Sequence, residues 1–181
     1  MIKIEVDDQQ VLQGLNRLAE SAADPRPALL QIGELLVDST RQRFINSTAP
    51  DGSRWAENSD ITILQYLGKY KGSFRKKDGG ITKKGAARLG AKRPLIGESG
   101  SLSRQIFHRI EGSGTLLIGS TMEYAAAQHF GMKRGYAGAT RRGSPIPWGN
   151  IPARPFLGIS DQDRGMILDE ISDYLSQSFR P

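Results

Sequence analysis

The chain is organised around residues 106–120, which read Ile106-Phe-His-Arg-Ile-Glu-Gly-Ser-Gly-Thr-Leu-Leu-Ile-Gly-Ser120. Ile106, His108 and Ile110 alternate with the residues between them, as expected for a strand with one buried face. Thr115 begins a second, mainly apolar run. The Gly-Ser-Gly sequence between the two runs supplies residues that readily adopt the positive φ angles of a tight turn. The stretch therefore predicts a β-hairpin on which the rest of the chain packs.

Three elements are predicted before the hairpin. The first is a short strand, indicated by the alternation of Ile2, Ile4 and Val6 with charged residues. Asp7 or Asp8 then caps a helix of about four turns. Asp24-Pro-Arg-Pro27 ends that helix and begins a longer one that reaches Phe44, because proline at the first helical position loses no hydrogen bond. One or two further helical turns are expected at residues 60–67.

The C-terminal part is expected to return to the sheet and then to end in a helix. Ile151-Pro-Ala-Arg-Pro155 is restricted to extended backbone by its two prolines, which suit a sheet edge because proline does not donate a hydrogen bond. We therefore expect a strand after Arg154, and a helix from Ser160 with Asp163 completing a capping box. The predicted fold is α+β, with helices mainly on one face of an antiparallel sheet built from the N-terminal strand, the central hairpin and the strand after Arg154, and with two long basic loops.

The positive charge of the chain is concentrated in two glycine-rich segments. The whole chain has a net charge of +6. Residues 69–93 contain ten basic side chains and one acid, and residues 132–154 contain five basic side chains and no acid, so the remainder has a net charge of −8. An acidic body with two basic segments suggests a partner that is negatively charged on one side.

Residues 68–93 and 132–150 are predicted to be flexible insertions in a single domain covering residues 1–181, because apolar periodicity vanishes where Gly and Lys accumulate. Their cations would neutralise phosphates, and Tyr66, Tyr70 and Phe74 would be available to stack on bases. The alternative, slightly favoured because no groove-reading element is found, is a solvated insertion that keeps the protein soluble or touches acidic protein surfaces. The candidate DNA or assembly contacts are Lys76, Lys77, Lys83, Lys84, Arg88, Arg141 and Arg142.

Two single residues are candidate subunit contacts. Trp55 follows the turn sequence Pro50-Asp-Gly52 and either contacts a neighbouring subunit or fills the edge of the core. The core interpretation is favoured about two to one, because a lone tryptophan is usually at least partly buried. Arg154, presented between prolines, either binds a carboxylate at a subunit boundary or pairs with an acid of its own chain. These two interpretations of Arg154 stay equally open.

No catalytic or metal-binding pattern is found in the sequence. Gly112-Ser-Gly114 has Leu117 where a dinucleotide-binding fingerprint needs its third glycine. Residues 97–101 lack the second glycine of a nucleophile elbow. The two histidines, His108 and His129, have no carboxylate beside them at ligand-like spacing, so satisfied or surface histidines are the more common explanation. We therefore expect a protein that is not an enzyme and needs no cofactor.

Composition limits the setting in which the chain works. The sequence has no cysteine, so disulfides and thiolate metal sites are excluded and folding in a reducing cytoplasm is the simplest interpretation. No apolar run approaches the roughly 18 residues of a membrane span, and no apolar signal region opens the chain. We therefore expect no membrane partner.

Five sequence motifs, in the same order, resemble the phage virion morphogenesis family, the tail-completion proteins of Mu-like phages and prophages. They are Pro50-Asp-Gly-Ser-Arg-Trp55 after a long helix, Ser99-Gly-Ser-Leu-Ser-Arg-Gln-Ile106, Ile118-Gly-Ser120 leading to Tyr124-Ala-Ala and His129-Phe-Gly131, Ile151-Pro-Ala-Arg-Pro-Phe-Leu-Gly158, and the closing helix. The resemblance implies a structural subunit that completes the tail or neck so that head and tail can join. It also implies a ring of identical subunits that contacts tail tube, terminator or neck proteins.

Two functions are therefore expected as alternatives. The first is the tail-completion role, carried out in the host cytoplasm during assembly, with the protein either released or kept in the virion. The second is a small, non-catalytic nucleic-acid-binding protein that uses its two basic loops. A basic loop lining a ring would serve both functions, because it would face DNA that passes through.

Overall fold

The computed structural model describes residues 9–97 and 99–177. In this part of the chain the elements follow as α1 (Gln9–Ala23), α2 (Arg26–Asn46), α3 (Asp60–Gly68), α4 (Lys83–Ala91), α5 (Ser101–Arg104), β1 (Ile106–Glu111), β2 (Thr115–Ser120), α6 (Ala125–Phe130) and α7 (Asp161–Gln177). The α+β class is confirmed. The predicted strand of Ile2, Ile4 and Val6, and the cap at Asp7 or Asp8, lie outside the described residues.

The elements divide between two compact units, each made of separate stretches of the chain. Unit 1 comprises the described residues up to 39, residues 107–119 and those from 159 onward, and unit 2 comprises residues 40–106 and 120–158. Neither unit is a continuous piece of sequence. The prediction of one domain over residues 1–181 with flexible insertions stays a prediction.

The central hairpin is confirmed, with β1 and β2 as a two-stranded sheet. Gly112 adopts φ +64° in the turn, as the glycine-rich link predicted. On the hairpin, Phe107 packs against Gly119, where an added β-carbon would lie 3.4 Å from the ring. His108 lies against Gly33 of α2, and its Nε2 is 3.2 Å from Oε1 of Glu34.

Unit 1 contains α1, the first part of α2, most of the hairpin and α7. Its apolar core includes Ile32, Leu36 and Val37 of α2, and α1 packs against α7. The capping box predicted at the start of α7 is confirmed: the Ser160 backbone N–H donates to Oδ2 of Asp163 at 2.7 Å, and the Asp163 backbone N–H donates to the Ser160 hydroxyl at 3.1 Å. Asp163 is fully buried, and this network is the reason that a carboxylate is tolerated there.

Unit 2 has an aromatic core. The ring of Phe44 lies 5.3 Å from that of Trp55 and 5.2 Å from that of Phe156, measured between centroids. Leu67 and Leu102 are also buried in this unit. Edge-to-face and tilted contacts of this kind favour a fixed arrangement of the rings, so the core of unit 2 positions the surrounding loops.

The strand predicted after Arg154 is wrong. Residues 152–160 form no strand, and the last sheet-like pairing before them is a single bridge at residue 151. Side chains take the place of a neighbouring strand: Trp55 Nε1 donates to the carbonyl of Pro155 at 2.8 Å, and Arg43 Nη1 donates to that of Phe156 at 2.9 Å. The backbone is extended as its prolines require, but buried indole and guanidinium groups satisfy its carbonyls.

Residues 68–93 are not one continuous loop, since they contain α4. Thr82 caps this helix, its hydroxyl accepting from the Gly85 backbone N–H at 3.0 Å, and α4 packs against α3. Gly85 is buried, and a β-carbon there would lie 2.9 Å from the Ile81 side chain. The sequence of α4 shows no apolar periodicity, because the packing face of the helix is made by a buried glycine rather than by a large apolar residue.

Candidate functional site

We name residues 68–93 the basic arm. Aromatic and cationic side chains of this arm contact one another and Tyr66, which lies just before it in α3. Tyr66 and Tyr70 meet edge to face at 5.3 Å between centroids. The guanidinium carbon of Arg88 lies 5.0 Å from the centre of the Tyr70 ring, and Lys92 Nζ lies 5.2 Å from that of Tyr66. Such cation–π contacts occupy ring faces that the sequence had suggested for stacking on bases.

Arg88 is part of the scaffold of the basic arm. Its Nη1 donates to the Ser73 hydroxyl at 2.9 Å and to the Lys71 carbonyl at 3.3 Å, in addition to the contact with Tyr70. Ser73 is almost fully buried. The predicted contact of Arg88 with DNA or an assembly partner stays a prediction, but its bonds within the chain already account for its position.

The four predicted lysines of the basic arm are exposed, in two pairs. Lys76 and Lys77 lie in the turn that links the bridged residues Phe74 and Ile81. The second pair, Lys83 and Lys84, lies in the first turn of α4, which contains no acid. Cations at this end of a helix oppose its dipole and cost a few tenths of a kcal/mol or more. The stability of α4 therefore does not explain the position of the second lysine pair, whereas a negatively charged partner would explain it.

We name residues 132–150 the basic loop. Its backbone is held by regular pairings: Met132 and Ile151 exchange two bonds at 2.9 and 2.8 Å, and the Ala137 N–H donates to the Ile146 carbonyl at 2.9 Å. Arg141 and Arg142 are both exposed. They project from a turn that Thr140 closes by donating to the Ser144 carbonyl at 2.8 Å. The structure therefore places both predicted arginines on the surface, at the tip of a paired segment.

Three aromatic side chains stand exposed at or beside the basic loop. Phe130, Tyr136 and Trp148 are 77%, 79% and 74% exposed. An open groove of about 750 Å³ lies here, and we name it the aromatic groove; it is lined by Ala126, Ala127, Phe130, Gly131, Met132, Lys133, Tyr136, Asn150, Ile151 and Ala153. Sequence reasoning missed these aromatic residues as functional candidates. The available signal was an aromatic residue within a basic, glycine-rich segment that has no apolar period.

The two candidate subunit contacts, Trp55 and Arg154, are both buried within unit 2. Trp55 packs on Phe44, which is the core position that the sequence favoured. Arg154 donates from Nε to the carbonyl of Ala56 and from Nη2 to that of Glu57, each at 2.7 Å. The acceptors are backbone carbonyls rather than the carboxylate that either interpretation of Arg154 proposed. A contact of either residue with another subunit stays a prediction.

The two histidines have different surroundings. Burial lowers the pKa of His129, whose Nδ1 faces the Phe156 backbone N–H at 3.3 Å and whose ring packs edge-on against the Phe156 ring. Nδ1 accepts this hydrogen bond only while the imidazole is neutral. The hydrogen bond and the burial therefore both favour the neutral form of His129. His108 keeps its buried Nδ1 without a hydrogen-bond partner beside Gly33. Within residues 9–97 and 99–177, no three acidic or histidine side chains come together as metal ligands do.

A second open groove, of about 490 Å³, lies elsewhere in unit 2, and Glu57 is the one carboxylate among the described residues that line it. Lys92, Tyr124 and Gln128 also line this groove, and no histidine is among the lining residues that the structure describes. Among the helices that the structure describes, none is both long enough and apolar enough to cross a membrane.

The chain is similar to known phage proteins over almost its whole length. The model of the phage virion morphogenesis family matches residues 6–176. A protein of Haemophilus influenzae, the Mu-like prophage FluMu G protein 2, is 27% identical over 175 residues, which cover 96% of this chain and 96% of that protein. No solved structure matches. Because the family match spans both units, from the first described helix into α7, this protein belongs to the phage virion morphogenesis family.

Proposed function

We propose that this protein completes the phage tail or its neck, so that heads and tails can join, and that it acts as a subunit of a ring. The observation that carries the proposal is the virion morphogenesis family match over residues 6–176. A prophage relative of the same length supports it. The work is done in the host cytoplasm during assembly, against tail tube, terminator or neck proteins, and the finished virion is the alternative final location.

The protein acts through contacts rather than through catalysis. This part of the proposal is supported by the single carboxylate among the described residues that line the second groove, and by the absence of a metal-ligand cluster among the described residues. The contacts are made by cations that the fold leaves exposed in the basic arm and the basic loop. An acidic surface on a neighbouring virion protein would match them.

The experiment is complementation of a phage or prophage that lacks this gene product. One variant changes Arg141 and Arg142 to Glu, and its matched control changes both to Lys, which keeps the charge. We expect the Glu variant to remain folded and to leave heads and tails unjoined in electron micrographs, and the Lys variant to yield joined particles. Normal yields of infectious particles from the Glu variant would remove these two arginines from the mechanism.

The basic arm is tested by substitution rather than by deletion. Deletion would remove α4, which packs against α3, so a loss of function could come from unfolding. Changing the exposed lysines to Glu avoids this, and changing them to Arg is the control; the residues are Lys76, Lys77, Lys83 and Lys84. Heads and tails that join normally with both Glu variants, of the arm and of the loop, would overturn the assignment of assembly contacts to the basic segments.

DNA binding through phosphates is the second candidate function. The observation that favours it is the pair of lysines in the first turn of α4, whose position opposes the helix dipole. A ring that lets DNA pass would place such lysines near phosphates without reading bases. It is tested by a salt titration of DNA affinity, in which phosphate contacts give a steep dependence on salt.

A further inference from the structure

The second groove of unit 2 contains a buried cation that has no anion beside it, and we name it the Arg154 groove. Arg154 lines this groove and is 6% exposed. In the part of the chain that the structure describes, no carboxylate forms an ion pair with it. Its bonds go to the backbone carbonyls of residues 56 and 57. These carbonyls offset part of the cost of burial but carry no net charge, so the guanidinium still favours a negatively charged ligand.

One nitrogen of this guanidinium is available to a ligand. The bonds to Ala56 and Glu57 use Nε and Nη2, and no residue in the described ranges accepts from Nη1. Nη1 is not a buried atom either, because the one buried side-chain nitrogen or oxygen without a partner among the described residues is Nδ1 of His108. Nη1 is therefore open to solvent at the groove that Arg154 lines. Arginine N–H groups of this kind donate strong, charge-assisted hydrogen bonds to carboxylates.

Two half-buried amide residues lie next to Arg154 along the lining of the groove, Asn58 and Gln128. The Arg154 backbone N–H donates to the Gln128 carbonyl at 2.9 Å, and Asn58 directly follows Glu57, whose carbonyl accepts from Nη2. Neither side-chain amide has a hydrogen-bond partner among the residues that the structure describes. An amide offers both a donor and an acceptor, so this pair suits the N–H and C=O groups of a peptide backbone.

The apolar part of the lining is held in place. Leu95, Ile96 and Leu102 contribute to it. Lys92 donates from Nζ to the Ile96 carbonyl and also lies over the ring of Tyr66, which fixes the turn between residues 92 and 96. Within this turn Leu95 has φ +60°, a left-handed conformation that leucine rarely adopts and that persists only where the surrounding structure imposes it. The groove therefore presents positioned aliphatic side chains as well as polar groups.

We propose that the Arg154 groove binds an extended, acidic peptide segment of another virion protein. Arg154 binds the carboxylate of one Asp or Glu in that segment. The amides of Asn58 and Gln128 bond to the peptide backbone on either side of this residue, and aliphatic side chains of the segment contact the leucine and isoleucine side chains of the lining. The inference rests on the proposed function for the source of the segment, and it adds the chemistry by which one partner is recognised.

The lining favours a peptide over a nucleic acid. A nucleic-acid backbone needs a track of cations, whereas Lys92 and Arg154 are the two cations among the described lining residues, and Lys92 is already bonded to Ile96. The Glu57 carboxylate would repel a polyanion. A free phosphate would leave both amides and the aliphatic side chains uncovered, and a groove of about 490 Å³ is larger than a single anion requires.

Binding of a defined peptide to the full-length, isotope-labelled protein tests the proposal. The probe is acetyl-Leu-Ala-Glu-Ala-Leu-amide, because alternate residues of an extended peptide share one side and both leucines then accompany the glutamate. The control peptide has Gln in place of Glu. Nuclear magnetic resonance follows the side-chain amide signals of Asn58 and Gln128 and the Nε–H signal of Arg154. We expect saturable shifts with the Glu peptide and about ten-fold or more weaker binding of the Gln peptide, which lacks the charge.

Gln128→Glu makes the result specific to the cation and leaves Arg154 in place, since the bonds of Arg154 to residues 56 and 57 hold the backbone there. The new carboxylate is nearly isosteric with the amide and gives the groove an anion of its own. We expect the affinity for the Glu peptide to fall about ten-fold or more, with an unchanged circular dichroism spectrum. Gln128→Met, of similar size but uncharged, is the matched control and should weaken binding less. Asn58→Asp, on the other side of the cation, should act as Gln128→Glu does.

Three results would overturn the proposal. Equal affinities of the Glu and Gln peptides would show that the charge of Arg154 is not used. Shifts absent from the Arg154 groove at millimolar peptide, or confined to the basic arm or the basic loop, would show that the peptide does not bind there. Inorganic phosphate or a single-stranded oligonucleotide that shifts the same signals at lower concentration than the Glu peptide would make the groove a phosphate site.

Failure of this proposal is distinguishable from failure of the proposed function. Peptide binding is measured on purified protein, whereas the proposed function is measured by joined heads and tails in complementation. A groove that does not bind the peptide leaves the outcome for the Arg141 and Arg142 variants as it stands. Peptide binding that persists while the complementation experiment fails would separate the groove from tail completion.

Discussion

Buried polar side chains in unit 2 replace a neighbouring strand. Arg43 is 6% exposed and donates to the carbonyls of Phe156 at 2.9 Å and Gly158 at 2.8 Å. Arg154, equally buried, donates to two carbonyls of residues 56 and 57. Burial lowers the pKa of Arg154, yet an arginine stays charged at neutral pH. The cost of burying these cations is offset by well-formed bonds to carbonyls that would otherwise be unsatisfied.

Gly33 is expected to tolerate no side chain, because His108 lies directly against it. A β-carbon on Gly33 would lie 2.6 Å from Cγ and 2.8 Å from Cε1 of the imidazole. Gly33→Ala should lower the free energy of unfolding by about 1–3 kcal/mol through overpacking. Urea unfolding followed by circular dichroism measures the change.

Gly165 of α7 is the matched control, since it is a helical glycine with nothing near its missing β-carbon. Gly165→Ala should raise the free energy of unfolding by about 0.5–1 kcal/mol, as alanine does in a helix interior. Combining Gly33→Ala with His108→Ala should remove most of the overpacking penalty. Equal effects of alanine at residues 33 and 165 would show that the contact with His108 has no energetic consequence.

His129 is expected to make the protein less stable in mild acid. Its folded-state pKa is lowered by burial, so the folded protein binds fewer protons than the unfolded chain just below the ordinary histidine pKa of about 6.5. Stability is therefore full above that pH and falls as the pH drops through it. The unfolding midpoint in urea, compared between pH 7.5 and 5.5, measures this loss.

The variant His129→Asn keeps an acceptor for the Phe156 N–H but does not titrate. We expect it to lose a smaller part of its stability between the two pH values than the natural protein does. If both proteins lose the same amount, the acid sensitivity comes from other groups.

At the scale of elements, α4 shows how a helix forms in a segment that lacks apolar periodicity. Its N-terminus is capped by Thr82, whose hydroxyl also donates to the Gly72 carbonyl at 2.6 Å. Arg88 of this helix lies over the ring of Tyr70. The buried Gly85 lets the helix pack closely against its surroundings. The helix thus depends on one cap and on one packed side, as short helices in proteins do.

Limited trypsin digestion tests how well structured each part of the basic arm is. We expect the first cleavages in the free protein after Lys76 or Lys77, which lie in a turn, and slower cleavage after Lys83 and Lys84 in α4. Thr82→Ala should lower helix stability by about 1 kcal/mol and accelerate cleavage within α4. Mass spectrometry of the early fragments assigns the sites.

Ser172→Ala removes another exposed hydroxyl that bonds to the backbone, in α7, and should leave cleavage in the basic arm unchanged. If the natural protein is cut first outside residues 68–93, the expected site of first cleavage is contradicted. Unchanged cleavage of the Thr82→Ala variant within α4 would show that the cap does not hold this helix.

The whole molecule separates its charges: the basic arm and basic loop are cationic and α7 is acidic. Any DNA binding through the basic segments should therefore be weak, indifferent to sequence and strongly dependent on salt. The slope of log affinity against log salt measures the number of phosphates neutralised, at about −0.9 per phosphate for duplex DNA. Changing Lys76, Lys77, Lys83 and Lys84 to Gln should make that slope shallower by up to four such contributions.

Fluorescence anisotropy with labelled DNA of two unrelated sequences provides the measurement, and Arg109→Gln, at an exposed position on β1, is the control. Sequence-selective binding that persists at high salt would favour the nucleic-acid-binding function over a purely structural role.

Sequence patterns identified the features that depend on neighbours in the chain. The glycine turn at residue 112 and the Ser160–Asp163 capping box each rest on φ preferences or bonds within a few residues. The family and the two basic segments were also evident before the fold, since residue order and charge need no coordinates.

Only the tertiary structure decided which side chains are covered. Trp55 is buried because Pro155, 100 residues later, accepts its N–H, and Arg43 is buried by bonds to a carbonyl 113 residues away. Tyr136, an aromatic residue too, stays exposed because no such distant segment covers it within the described part of the chain. Burial depends on contacts between remote segments, and local composition does not encode them; for the same reason the strand expected after residue 154 is absent, since buried side chains satisfy its carbonyls first.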